Sequence, residues 1–196
     1  MRERVISWLA DNVPEARLRH ILGVEEMSVV LAKHYQIDEM QAAQAGLMHD
    51  LAKYFQTKKL LQMAQEHNIG IDSVCAANPH LLHADISAIV AQQEFAVIDE
   101  KILDAIRNHT LGRPQMSDLS CVVFIADALE PGRGNTPELE AMRQVSFTNL
   151  YKSVWQTCDY SLKYLLDKKR IIHPRVIYTR NWAMEQAKKQ AKKILR

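Results

Sequence analysis

Residues 38–55 read DEMQAAQAGLMHDLAKYF. Asp38, followed by Glu39, has the character of an N-cap opening a helix. The helix it opens closes on the adjacent pair His49-Asp50. A histidine and an aspartate side by side at a helix end can reach the same pair of metal ions, the imidazole binding one and the carboxylate bridging both. The periodicity of this stretch continues outward in both directions, and the clustered β-branched alternation of strands is almost absent. The expected fold is therefore all-α.

Working toward the N-terminus, a helix over about 17–35 carries Ile21, Val24, Ser28, Leu31 and Tyr35 on one stripe. Before it, a helix over 2–11 is ended by Asp11-Asn12-Val13-Pro14. Toward the C-terminus, Lys58 to His67 makes a further helix. Asn78-Pro79 supplies a cap and a first-turn proline for one that contains His83. Another runs from Asp99 to His109. Ser117-Asp118 opens the apolar run LSCVVFIADAL, which is expected at the centre of the molecule. Residues 130–135 read as a loop. Helices near 138–149, 151–168 and 175–193 complete one domain over residues 1–196, its core at about 17–133 and the last helices packed on it.

His49 and Asp50 have spaced companions. His20 lies 29 residues before His49, His83 33 after Asp50, His109 26 after His83, and Asp127 18 after His109. Each interval is about one helix plus one connection, so each packed helix would contribute a ligand, as helical bundles do when they build metal sites. Four imidazoles and two carboxylates without a thiolate suit two divalent first-row ions engaged in hydrolysis. Asp127 follows the apolar Cys121-VVFIA, where an uncompensated carboxylate would cost several kcal/mol. A metal would resolve that conflict; so would an arginine or a loop rich in N–H groups. His34, His67 and His173 read as ordinary polar histidines without a carboxylate pattern nearby, and His80 shares a helical turn with His83.

Composition excludes several classes. A net charge of +2 gives no long-range field for nucleic acid. Cys75, Cys121 and Cys158 form no CxxC pair, which fits neither a zinc–thiolate site nor a disulfide framework and suits a reducing cytoplasm. Charges interrupt every apolar run of the N-terminal MRERVISWLADNVPEARL, so it does not read as a secretory signal. No stretch approaches the roughly 20 apolar residues of a membrane span. The basic AKKQAKKILR at residues 187–196 is expected to be a solvated helix end.

Five stretches together resemble a known family: Arg17-Leu-Arg-His20-Ile-Leu-Gly-Val24, Ala45-Gly-Leu-Met-His49-Asp50-Leu-Ala-Lys53, Pro79-His-Leu-Leu-His83, Ala105-Ile-Arg-Asn-His109-Thr110-Leu-Gly112-Arg113 and Phe124-Ile-Ala-Asp127-Ala-Leu-Glu130-Pro131-Gly132-Arg133. The pattern resembles the HD-domain metal-dependent phosphohydrolases, and within them the YqeK-type symmetrical bis(5'-nucleosyl)-tetraphosphatases. Two departures stand out: Cys121 occupies a place where that branch usually has lysine, and Asp85 follows His83 where small residues are more common.

The resemblance implies an HD-domain helical bundle with a di-metal site in its core. His20, His49, His83, His109 and Asp127 would be ligands, Asp50 would bridge, and iron would be the metal. The donor set alone would equally accept manganese, cobalt or zinc. The implied reaction is symmetrical hydrolysis of diadenosine tetraphosphate and related dinucleoside polyphosphates to two ADP, with a water held between the ions as the nucleophile's source. Catalysis would rest on Asp50, Lys53 and Arg133. Substrate phosphates would meet Arg17, Lys53, Thr110, Gly112, Arg113 and Arg133, the arginines by forked contacts and the glycines by close backbone approach. Alternatives are another HD-domain nucleotide phosphohydrolase (a 5'-nucleotidase or nucleoside triphosphohydrolase) or a non-catalytic nucleotide sensor. The expected partner is a small nucleotide, with no nucleic acid and no membrane, in a cytoplasmic protein compatible with a homodimer.

Overall fold

The computed structural model describes residues 1–194, and the side chains of residues 1–191. Among the described residues the chain is helical throughout, with no strand. In order come α1 (Arg2–Asn12), α2 (Glu15–His34), α3 (Glu39–Met48), α4 (Thr57–Glu66), α5 (Ser73–Ala77), α6 (His83–Phe95), α7 (Glu100–Asn108), α8 (Asp118–Leu129), α9 (Pro137–Ser146), α10 (Leu150–Asp167) and α11 (Pro174–Ile194). Short 3-10 turns occupy Pro79–Leu82 and Pro131–Arg133.

Local chemistry explains most starts. Asp38 accepts from the amides of Met40 and Gln41 at α3, Asp99 from Lys101 at α7, and Ser117 from Ser120 at α8. Each side chain satisfies an amide that has no partner inside its helix. Asn78 behaves differently from the expectation. Its amide donates to the Val74 carbonyl and closes α5, so it does not cap the turn that begins at Pro79. Residues 79–82 tighten into a 3-10 turn, and α6 begins only at His83. The five-residue α5, capped by Asp72, is too short to show a period in sequence.

α8 is buried nearly all round, from Leu119 through Ala126, and forms the axis of the molecule. α2, α3, α7 and α10 all pack directly against it. One apolar cluster gathers Leu9, Ile21, Met48, Leu51, Ile86, Leu103 and Ile106 from α1–α3, α6, α7 and the turn after α3. A second joins Val24 and Leu31 to Ile125, Leu129, Leu139 and Val154. Each of these side chains contributes about 1.5–3 kcal/mol on burial. α2 and α3 approach closely, since a Cβ on Gly46 would lie 3.0 Å from the Glu25 Cα.

α11 packs through the buried Ala183 and Ala187, and Lys188 and Lys189 are exposed, as expected of a solvated helix end. The side chains from Lys192 onward lie outside the described residues. No helix among the described residues is long and apolar enough to cross a membrane.

Candidate metal centre

Where α2, α3, α7 and α8 meet, three histidines occupy equivalent positions. His49 is the first residue past α3, His109 the first past α7, and His83 the first past the 3-10 turn. Each turns its Nδ1 back to the carbonyl three residues earlier: His49 to Gly46 at 2.7 Å, His83 to His80 at 2.5 Å, and His109 to Ile106 at 2.7 Å. A carbonyl in the last turn has a lone pair to spare, so each imidazole caps the helix behind it, and the His83 and His109 amides donate to the same carbonyls as their rings. The cap commits the ring proton to Nδ1 and leaves the Nε2 lone pair facing inward. The negative ends of α3 and α7 point the same way, which favours cations there.

The inward atoms converge on Asp50, which is 1% exposed. Its Oδ1 lies 3.2 Å from His83 Nε2 and 3.4 Å from His109 Nε2, and its Oδ2 lies 3.4 Å from His49 Nε2. Asp127 Oδ1 faces His20 Nε2 at 3.0 Å and His49 Nε2 at 3.7 Å. Three overlapping sets result: Asp50 with His83 and His109, His20 with His49 and Asp50, and His49 with His109 and Asp127. Asp50 belongs to sets on both sides of the centre.

The arrangement fits bound cations. His83 and His109 bring Nε2 atoms to 3.1 Å although both ring protons are committed elsewhere, so lone pair faces lone pair. His49 Nε2 and Asp50 Oδ1 are buried and have no hydrogen-bond partner. Orphaned buried acceptors are costly, and a cation between them removes the cost. Burial works to raise the Asp50 carboxyl, but His49, His109 and His83 hold it well below the usual range. Burial is likewise outweighed at Asp127, by the His20 contact, the His49 and His109 charges and Arg133. His83 is driven down to about 4, first by burial and then by Lys53, with Asp50 opposing. Both carboxylates are thus ionised and His83 is a neutral imidazole, as metal ligands are, whereas at His49 burial is outweighed by the Asp50 and Asp127 charges, which raise it in the absence of a cation.

All six expected metal-site residues are therefore brought together. Around them Arg17 Nη1 reaches Asp50 Oδ2 at 3.1 Å and Lys53 Nζ reaches His83 Nε2 at 3.1 Å. Thr110 Oγ1 lies 2.9 Å from His109 Nε2, and Arg133 Nη2 lies 2.7 Å from Asp127 Oδ1. Arg113 is not brought to the centre: its guanidinium pairs with Asp104 at 2.7 Å and is half exposed. Gly112, at φ 60°, turns the chain where it packs against Thr179 of α11.

Sequence reasoning passed over Glu130. It is 3% exposed, meets His20 Nδ1 at 2.9 Å and accepts from the Gly132 amide at 2.5 Å. The signal was present as the Glu130-Pro131-Gly132-Arg133 stretch, but nothing local distinguishes this carboxylate from a loop charge. His173 also departs from expectation, since a carboxylate does lie beside it. Its Nε2 meets Asp72 Oδ2 at 2.8 Å, with Cys75 adjacent, while its Nδ1 accepts from the Arg175 amide at 3.0 Å. Asp72 caps α5 and His173 precedes α11, so the contact clasps two helix starts that are distant in sequence.

This geometry is that of a recognised class, and the chain belongs to it: the HD-domain family, whose pattern matches residues 17–132. Membership carries dependence on divalent metal. Among its relatives, a "Bis(5'-nucleosyl)-tetraphosphatase, symmetrical" of Bacillus subtilis is 32% identical over 181 residues, covering 92% of this chain and 96% of that protein. The protein of the same name from Staphylococcus aureus is 30% identical over 174 residues, covering 88% and 89%. A crystal structure from Clostridium acetobutylicum, described as a "predicted HD superfamily hydrolase involved in NAD metabolism", superposes with a TM-score of 0.90 at 32% identity, covering 95% of this chain and 98% of that one.

Proposed function

We propose that this chain hydrolyses bis(5'-nucleosyl) tetraphosphates symmetrically, cutting diadenosine tetraphosphate into two molecules of ADP. The observation that carries the reading is the placement of Asp50 between two sets of inward-facing imidazoles. Full-length similarity to symmetrical tetraphosphatases supports the substrate class.

His20, His49 and Asp127 would hold one ion and His83 and His109 the other, with Asp50 shared between them. Divalent ions held there supply positive charge that lowers the pKa of water and offsets the charge of a polyphosphate. Two aspartates neutralise only half the charge of two such ions, so the centre keeps an attraction for an anionic substrate. Arg17 and Arg133 stand beside Asp50 and Asp127 and can fork onto phosphate oxygens on that side. Lys53 and Thr110 stand beside His83 and His109 and donate on the other. Donors on both flanks suit a substrate whose scissile phosphoanhydride lies midway along a chain of phosphates. The leaving nucleoside diphosphate is a weak base, so fixed positive charge suffices without a dedicated general acid.

The catalytic set is Asp50, Lys53 and Arg133. Iron is the proposed metal, in keeping with a thiolate-free imidazole and carboxylate donor set. We place the enzyme in the cytoplasm, allow it a homodimer, and treat α9–α11 as part of the same domain, since α10 packs directly on α8. The deciding experiment combines metal analysis of the purified protein with chromatography of diadenosine tetraphosphate digests. ADP as sole product supports the reading; AMP with ATP, or free phosphate, refutes it.

A further inference from the structure

Three of the four imidazoles use their own backbone to fix the ring proton, and His20 cannot. It lies inside α2, where the preceding carbonyls are already engaged in the helix ladder. Its Nδ1 instead meets Glu130 Oε1 at 2.9 Å, while Nε2 faces Asp127 Oδ1 at 3.0 Å. Glu130 is itself fixed: its other oxygen accepts from the Gly132 amide at 2.5 Å, and Arg143 holds the surrounding loop through the carbonyls of Leu129, Glu130 and Gly134. Two glycines make room for the carboxylate. A Cβ on Gly23 would stand 2.6 Å from Glu130 Oε2, and one on Gly132 would stand 2.8 Å from it.

We infer that Glu130 is a positioning residue: it holds the proton of His20 on Nδ1, keeps Nε2 aimed at the ion shared with His49 and Asp127, and makes that ion site depend on a side chain where the other depends on main chain. Gly23 and Gly132 are the space this device requires. The inference rests on the di-metal reading above. A carboxylate behind a ligating imidazole also makes the ring a stronger donor than a carbonyl does, so the two ion sites differ in kind.

The test uses the full chain. Nitrogen-15 NMR of histidine-labelled, Zn²⁺-loaded protein reads which His20 nitrogen keeps the proton, and Mn²⁺ titration of metal-free protein followed by calorimetry reads each binding step. Wild-type protein should show His20 as the Nδ1–H form and bind two Mn²⁺. Glu130→Ala should weaken one step by about 10–100-fold and leave the other within about threefold. Glu130→Gln, whose amide oxygen can accept the same N–H, should recover part of the loss. Gly23→Ala keeps the charge and favours helix, yet displaces the carboxylate, and should weaken the same step. An Nε2–H form of His20 in wild-type protein overturns the inference. So does equal weakening of both steps, or weakening of neither. Wild-type protein that binds no Mn²⁺ overturns the di-metal reading and this inference with it.

Discussion

Arg133 Nη2 sits 2.7 Å from Asp127 Oδ1, the same oxygen that faces His20 Nε2 at 3.0 Å. The guanidinium thus balances a carboxylate that the ions would otherwise balance, and it is 37% exposed at the rim. An ion engaging the carboxylate would leave the arginine free to turn to substrate phosphate. Arg133→Ala should lower kcat/KM by about 10²–10³-fold while metal stoichiometry stays at the wild-type value. Steady-state kinetics with parallel metal analysis checks this, and loss of metal in the variant would contradict it.

Asp50 is shared between the sets on either side, so Asp50→Ala should remove both ions together. Turnover should fall on the order of 10⁴-fold, with the circular dichroism of the helices retained. A variant that kept one ion and near-normal activity would show that Asp50 is not shared.

Arg113 and Thr110 are near neighbours in sequence but part company in space. Thr110→Val removes a hydroxyl 2.9 Å from His109 Nε2 and should cost about 10²-fold in kcat/KM. Arg113→Ala only frees Asp104 and should leave kcat/KM within about threefold. A larger fall for Arg113→Ala in steady-state assays would place its guanidinium on the substrate.

Gly46 sets how closely α2 and α3 approach, and its carbonyl accepts from His49. Gly46→Ala would press a methyl to 3.0 Å from both the Glu25 Cα and the Ser28 Oγ. The expected cost is about 1–3 kcal/mol, measured by chemical denaturation, with weaker metal binding because His49 shifts with its helix.

The three thiols give a pH signature. Burial, then the Asp72 charge, pushes Cys75 up to about 11; burial, then Asp159, pushes Cys158 up to about 12; burial holds Cys121 well above the thiol range. A raised folded pKa means the native state keeps protons that the unfolded chain releases, so this stability is fully present below pH 9.0, the ordinary thiol value. It is lost as pH climbs from 9.0 through about 11 and then about 12. Urea midpoints should therefore fall progressively above pH 9, and at pH 8 a thiol reagent should react far more slowly with native than with unfolded protein. Rapid native labelling would contradict this burial.

How much a sequence discloses depends on how local each determinant is. Asp38, Asp99 and Ser117 act within three residues of themselves, and their helices are legible from the letters alone. The six convergent side chains are legible because their spacing matches one helix plus one connection. Glu130 and the Asp72–His173 clasp depend on partners far along the chain, with no periodic trace. Asn78 misleads because a cap-like residue before proline can spend its side chain on the preceding helix instead. Arg113 stands away from the centre because adjacency to a ligand in sequence says nothing of which carboxylate the side chain will find.

The histidines that close α3, the 3-10 turn and α7 tie metal occupancy to the integrity of the turns behind them. Any fraying that frees the carbonyl of Gly46, His80 or Ile106 also releases a ring to rotate or change tautomer, so the ligand is lost with the turn. Loading the centre should then slow amide hydrogen exchange at these helix ends, while α9, which contributes no ligand, keeps its metal-free exchange rate.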